Sequence, residues 1–318
     1  MDEPRQAHLI VRGADALTAA LRTVAREPRA TVLVCDIDGT ISPIVSDPYA
    51  AVVPAAFRTA LTSLAPRLGL LAFVTGRDVR QAAAMVGVGG ATYVGLHGFD
   101  QMAPDGTVAR DPVAGPYVAR VQTMARRVAG LDAERLGLVV ENKGPMLDLH
   151  YRRAPDPAAT LAVLEAEILE PARELGLAIA TGHFLVELRP PEPVSKGTTV
   201  RRLLQAGGRG EAPPRVAIFA GDDLTDCTGF AAVHEWADGC DAATAAGAPG
   251  GRLVAAKTAA RSRATTGEGD APCGRVALAV AALTDETPRE VKDASDVWVS
   301  ATPGVYEVLV ALLAAVQA

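Results

Sequence analysis

Aromatic residues make up only 4% of this 318-residue chain, so whatever it recognises is held by hydrogen bonds and charge rather than by stacking on rings. Cysteine is sparse too. Cys35, Cys227, Cys240 and Cys273 show no Cys-x-x-Cys spacing and no histidine pattern of the zinc-site kind, which excludes a metal-stapled domain and leaves reduced thiols. Cys35 is expected to turn away from its neighbour Asp36 as a small core residue. No uncharged apolar run approaches the ~20 residues of a membrane-spanning helix, and the opening Met1-Asp2-Glu3-Pro4 is acidic where a secretory leader is basic. A cytoplasmic protein with no membrane partner is expected. Positive charge is in deficit: 31 Lys and Arg against 37 Asp and Glu give a net −6, with no basic stripe. That argues against nucleic acid as a partner, because duplex binding rests on a positive field.

What the chain does have is apolar surface. With 49% hydrophobic residues over 318 positions, it can bury one large core and a smaller one, so two domains are expected. Val32 to Thr40 reads Val-Leu-Val-Cys-Asp-Ile-Asp-Gly-Thr, an apolar strand that delivers two carboxylates and then turns. Side chains on an extended chain alternate with period two, so Asp36 and Asp38 project toward the same space. A carboxylate is a weak nucleophile toward phosphorus unless a cation neutralises the repulsion. The pair, with a further acid elsewhere, therefore predicts Mg²⁺ and an aspartyl-phosphate intermediate on Asp36. Alone, Asp-x-Asp-Gly after a strand is as often a solvated turn.

Three further segments bear on that choice. The strand-like run Leu70 to Val74 ends in Thr75-Gly76-Arg77, where a hydroxyl and backbone N–H groups at a helix start suit a phosphate oxygen; a plain helix cap is the other reading. Ser195-Lys196-Gly197 precedes a helical pattern and presents an ammonium to an anion, although a lone lysine is normally solvated. A buried-type strand, Val216 to Ala220, runs into Gly221-Asp222-Asp223-Leu224-Thr225-Asp226, an acidic turn suited to a hard cation or simply to water.

Taken in order, these four segments resemble the four motifs of the haloacid dehalogenase superfamily of phosphotransferases. The resemblance implies that Asp36 attacks phosphorus, Asp38 protonates the leaving oxygen, and Thr75 and Lys196 hold the phosphoryl group. It also implies Mg²⁺ bound by Asp36, by Asp222 and by the main-chain carbonyl of Asp38, with Asp223 and Asp226 behind them.

The order of elements predicts an α/β fold, a parallel-sheet core with an inserted α+β module; the resemblance implies that this is a haloacid dehalogenase-like (Rossmann-like) core with a cap domain. Strands at 31–36, 70–74, 92–95 and 216–220 alternate with helical runs at 54–64, 79–86, 199–205 and 226–234. Between 103 and 186 the pattern becomes helix, two strands, helix, two strands. The expected division is core over 1–102, cap over 103–186 and core again over 187–318, with Lys196 coming in from the insertion. Pro171 should kink or end the second cap helix. Residues 238–274, rich in Ala, Gly, Thr and Arg, are expected to form a surface loop of low order.

Several segments look more narrowly like the trehalose-6-phosphate phosphatase family. They are Asp36 to Ile44 with Asp47-Pro48, Gly95-Leu96-His97-Gly98 with Asp100, Glu141-Asn142-Lys143-Gly144, His150-Tyr151-Arg152, Glu187-Leu188-Arg189-Pro190 and Gly221 to Asp226. Ile37 stands where an aromatic residue is usual and Asp100 where Glu is usual. A sugar is best held by carboxylates that accept and by Lys, His or Arg groups that donate. The resemblance accordingly implies Gly76, Arg77, His97, Gly98, Glu141, Lys143, His150, Arg152 and Glu187 as substrate-binding residues. From spacing alone, a salt bridge between Glu141 and Lys143 on a cap strand face, with His150 and Arg152 as its neighbours, is the better reading; the family resemblance reverses that order. The activity implied is Mg²⁺-dependent hydrolysis of trehalose 6-phosphate. Sucrose phosphate or mannosylglycerate phosphate are alternative substrates. A non-catalytic sugar-phosphate sensor, or a partner of a trehalose-phosphate synthase, is the reading from another class.

Overall fold

The computed structural model describes residues 9–45, 50–182, 184–191, 194–207, 213–239 and 274–318. Asp47-Pro48, Cys240, Cys273 and all but the ends of the loop expected over 238–274 lie outside the described residues. Along the chain run β1 (Ile10–Arg12), β2 (Thr31–Cys35), β3 (Leu70–Val74), β4 (Thr92–Gly95), β5 (Asp100–Met102), β6 (Val108–Arg110), β7 (Val139–Asn142), β8 (Leu147–His150), β9 (Ala178–Gly182), β10 (Leu185–Arg189), β11 (Val216–Gly221), β12 (Val276–Leu283) and β13 (Val297–Ser300).

The larger sheet has the order β1-β13-β12-β11-β2-β3-β4-β5-β6 and is parallel from β13 to β4, with antiparallel strands only at its two edges. Its central strands Thr-Val-Leu-Val-Cys and Leu-Leu-Ala-Phe-Val are buried at every position. Such continuous apolar runs suit strands covered by helices on both faces. Alternation splits them: Leu33, Phe73 and Ile218 enter one core, and Val32, Val34 and Phe219 the other. Cys35 lies in the first of these, turned from Asp36, and burial, with Asp36 adding to it, pushes its thiol up to about 12. No helix among the described residues is long and apolar enough to cross a membrane.

The smaller sheet, β7-β8-β10-β9, is antiparallel. Leu147, Leu149, Val186 and Leu188 point to a core shared with Val121 and Ile168 on the helices of this unit. The alternate residues Asp148, His150 and Glu187 therefore face the other way, toward the large sheet's rim. Sheet membership differs from the boundaries expected at 103 and 186. β6 pairs with β5 inside the large sheet, and β10 continues to Arg189 within the small one, where Arg189 pairs with Ala178 of β9. Lys196 also departs from its expected origin: it opens the core helix Lys196–Ala206, whose N-cap Ser195 and Thr198 form a capping box. The helix expected over 157–175 continues past Pro171 through one wide π-turn at Glu165–Leu169. The turn makes room for the proline ring, and the carbonyl of Glu167, which would have served residue 171, accepts from Arg127 Nε instead.

Far from the rim, His234 Nε2 lies 2.8 Å from Asp296 Oδ2, which also accepts from Ala279 N. Asp296 raises the imidazole's pKa above its ordinary 6.5. A group whose folded pKa is raised adds stability below its unfolded value and loses it as pH rises through the folded one. The melting-temperature gap between wild type and His234→Gln should accordingly be widest below about pH 6.5 and close above it. A gap independent of pH would mean that the imidazole acts through packing and not through charge.

Candidate active site

Three parallel strands bring their carboxyl ends to one place, where open α/β sheets bind ligands. Beyond β2, Asp36 N donates to Ala220 O of β11 at 2.8 Å, so Asp36 stays in register with the acidic turn that follows β11. The carbonyl of Ile37 then accepts from the N–H groups of Thr40, Ile41 and Ser42, closing a tight turn. Gly39 sits at φ +83°, and a Cβ there would stand 2.0 Å from Asp222 Oδ2. Only glycine lets the two loops meet. Thr40 Oγ1 donates to Asp222 Oδ1 at 2.9 Å and aims that carboxylate inward.

Lys196 supplies the one ammonium in this group. It is 3% exposed, with Nζ 3.0 Å from Asp36 Oδ1 and 2.7 Å from Asp226 Oδ1. Burial alone would lower its pKa, but Asp226, Asp36 and Asp223 outweigh burial and raise it. Asp226 ties the turn from beneath: its Oδ2 accepts the N–H groups of Asp222 and Asp223 while Oδ1 holds Lys196. Asp223 is exposed and caps the turn through Thr225 N, Thr225 Oγ1 and Asp226 N.

The charge here is unbalanced. Burial, with Asp226, Asp222 and Asp223 adding to it against Lys196, drives Asp36 well above the usual carboxylate range. Burial first, then Asp226, pushes Asp222 up to about 7. Carboxylate oxygens of Asp36, Asp222 and Asp226 lie within 4.8 Å of one another. Hard oxygen donors short of positive charge fit a divalent cation such as Mg²⁺. Because both oxygens of Asp226 are already bonded, Asp36 and Asp222 are the carboxylates left to hold one.

Thr75 is buried at the end of β3, its N–H bonded to Val94 O and its carbonyl accepting from His97 N. Arg77 does something the sequence did not suggest. Its Nε and terminal nitrogen donate to both oxygens of Asp38 at 2.7 and 2.6 Å. His97 and Leu96 both adopt left-handed backbone, at φ 58° and 51°, which seats the imidazole against Gly76, where a Cβ would stand 2.8 Å from Nε2.

The cap closes over this rim. His97 Nε2 lies 3.6 Å from Glu187 Oε2, and Lys143 Nζ donates to Gly76 O at 3.1 Å and to Asp148 Oδ2 at 2.7 Å, with Glu141 Oε2 at 3.5 Å. His150, and after it Lys143, keep Glu141 below its ordinary pKa. Burial would raise Glu187, yet His97, Arg189 and Lys143 leave it lowered. Core and cap together line a cleft of about 390 Å³ that includes Asp38, Thr75, Gly76, Arg77 and Asp222 from the core.

Two of the expected binding residues stand outside that lining. Arg152 is exposed, with its guanidinium 5.5 Å from the ring of Phe184. Gly98, at φ +134°, abuts Thr199, whose Oγ1 a Cβ would meet at 2.3 Å, so it serves packing. Both unusual residues also lie off the cleft: Ile37 is fully buried in the core, and Asp100 is clasped by Arg110 through two 2.7 Å bonds on the β5–β6 hairpin. Asp148 was missed, although the alternation of Leu147, Asp148, Leu149 and His150 puts it on the same face as His150.

A family model described as trehalose-phosphatase matches residues 34–262. The trehalose-phosphate phosphatase of Mycobacterium marinum is 35% identical over 199 residues, 62% of this chain and 50% of that protein. Its Mycobacterium tuberculosis counterpart is 34% identical over 216 residues, 68% of this chain and 54% of that one. The chain thus spans about half the length of these curated relatives. Among solved structures, the C-terminal domain of Candida albicans trehalose-6-phosphate phosphatase superposes with a TM-score of 0.66 at 20% identity, covering 93% of this chain and 96% of that one. A haloacid dehalogenase-like hydrolase from Bacteroides thetaiotaomicron gives 0.51 at 14% identity, covering 88% and 98%. At these identities the structural likeness is one of fold.

Proposed function

The chain belongs to the trehalose-phosphatase family, and we propose that it is a Mg²⁺-dependent phosphatase that hydrolyses trehalose 6-phosphate to trehalose and phosphate. The observation that supports this most is the meeting of Asp36, Lys196 and Asp222 on one rim, with Lys196 Nζ 3.0 Å from Asp36 Oδ1, beneath a cleft walled by polar cap residues.

In this reading Asp36 attacks phosphorus in line and becomes the aspartyl phosphate, as the sugar oxygen leaves with a proton from Asp38. Asp38 then takes a proton from the water that hydrolyses the intermediate. Lys196, the Thr75 hydroxyl and turn N–H groups hold the phosphoryl oxygens, since phosphoryl transfer asks chiefly for positioning and charge stabilisation. Mg²⁺, held by Asp36, Asp222 and the main-chain carbonyl of Asp38, would supply the charge that lets a carboxylate approach a phosphate dianion. Arg77 donates one bond to each oxygen of Asp38; this fixes the carboxyl group and leaves a lone pair on each oxygen for the proton it moves. Glu141, Lys143, His150 and Glu187 would hold the sugar, and the Lys143 and His97 contacts across the cleft would keep water out.

In this reading the enzyme would act in the cytoplasm, downstream of a trehalose-phosphate synthase. The test is phosphate release with Mg²⁺ from trehalose 6-phosphate, sucrose 6-phosphate, glucose 6-phosphate and a small aryl phosphate. A large preference for the first supports the assignment. Equal slow rates on all four would discard the sugar, and no release from any would favour a non-catalytic sensor.

A further inference from the structure

Asp148 is buried with one of its two carboxylate oxygens unpartnered. It stands on β8 directly between Glu141 on β7 and Glu187 on β10, so three carboxylates lie abreast on the cap face that looks onto the core. Like charges opposite one another across strands repel. Lys143 relieves one side of the row, and Arg189, 3.4 Å from Glu187, the far end. Asp148 is 3% exposed. Its Oδ2 accepts from Lys143, but its Oδ1 has no hydrogen-bond partner, and neither has His150 Nε2, which stays 3.9 Å from Glu141 Oε2. These are the only two such buried side-chain atoms among the described residues, and both belong to one cluster lining the cleft.

Buried polar atoms are normally satisfied, so two orphans in one polar cleft mark a place for a ligand's polar groups. A divalent cation suits it poorly, because the ammonium of Lys143 already sits between Glu141 and Asp148. A neutral hydroxyl suits it well: it donates to Asp148 Oδ1 without adding charge. The geometry points to Asp148 as a specificity-determining residue that accepts a hydrogen bond from a hydroxyl of the phosphate ester's leaving group, with His150 Nε2 meeting its neighbour. This rests on the sugar-phosphate reading above and adds a residue that reading did not contain.

Asp148→Asn tests it, since the amide keeps an oxygen for Lys143 but offers a donor where the free oxygen was. The ratio of kcat/KM on the best sugar phosphate to that on a small aryl phosphate should fall roughly 10- to 100-fold, the range for a hydrogen bond to a charged group. Monodeoxy versions of that sugar phosphate complete a cycle. The one lacking the docked hydroxyl should be poor for wild type, and Asp148→Asn should cost it little more. The inference fails if Asp148→Asn lowers both substrate classes alike, if no deoxy substrate escapes its effect, or if the deoxy substrate that escapes it is the same one that escapes Lys143→Gln, as a mere Lys143-positioning role would give. A second equivalent of Mn²⁺ bound by wild type and lost in Asp148→Asn would also overturn it, in favour of a cation site. If wild type prefers a sugar phosphate other than trehalose 6-phosphate, the substrate assignment fails while the ratio on the preferred sugar still decides Asp148. If wild type prefers no sugar phosphate, both fail.

Discussion

Replacing Asp36 by Asn should bring phosphate release below detection while leaving the protein folded. The amide has the carboxylate's shape and an oxygen for Lys196, but it cannot form an acyl phosphate, and the neighbouring acid Asp38 is clasped by Arg77. Uncatalysed phosphate-monoester hydrolysis is so slow that enzymes reach up to ~10²¹-fold acceleration, so no background reaction masks the loss. A drop of at least ~10⁴-fold is expected for removal of a covalent nucleophile. Stability should move little or rise. Asp36 is held well above the ordinary carboxylate range by burial and by its acidic neighbours, so a neutral group in its place relieves repulsion. Rate and melting temperature measured on one preparation check both halves. A variant that melts as wild type and still turns over would remove Asp36 from the chemistry.

Lys196→Met should lose both activity and stability. Lys196 is the ammonium bonded to both Asp36 and Asp226, at 3.0 and 2.7 Å, and stripping one partner from a buried ion pair costs about 3–5 kcal/mol. In a chain of this size that corresponds to a fall in melting temperature on the order of 10 °C. The deficit should depend on pH. Asp36, Asp222 and Asp226 already have raised pKa values in the folded protein. Acids raised in this way contribute stability at low pH and lose it as pH rises through their folded values. Without Lys196 they rise further, so the variant should be closest to wild type in acid, between the ordinary carboxyl value of 3.8 and about 7, and furthest above it. Adding Asp36→Asn to Lys196→Met should recover part of the loss, because the two residues are in contact and their effects are not additive. A double variant weaker by the sum of the two would show that the pair is not coupled. Turnover of Lys196→Met should fall about 10²- to 10³-fold or more, as for other lost oxyanion stabilisers.

The strands that build the rim were legible because each is a continuous apolar run broken by a polar turn. β3 and β4 begin and end where the pattern put them, and β2 and β11 differ by one residue at one end. Asp36, Thr75 and Asp222 follow directly, since strand ends in a parallel sheet share one edge. What stayed hidden depends on pairings between distant segments. Nothing in Thr75-Gly76-Arg77 reports that Arg77 clasps Asp38, and nothing local to β5 and β6 says that they extend the large sheet. The row Glu141, Asp148, Glu187 exists only through the registers of β7, β8 and β10, and a shift of one residue would have turned Asp148 into the cap core. Pro171 was read as a break because periodicity cannot foresee that Arg127 satisfies the carbonyl of Glu167.

The most direct single experiment is phosphate release from trehalose 6-phosphate by the purified chain, measured before chelation, after exhaustive removal of metal, and after Mg²⁺ is restored. Release that stops with the chelator and returns with Mg²⁺ is the expected outcome of a carboxylate nucleophile paired with Asp222 in a cluster short of positive charge. Release that persists without metal, or that never occurs on this substrate, would contradict it.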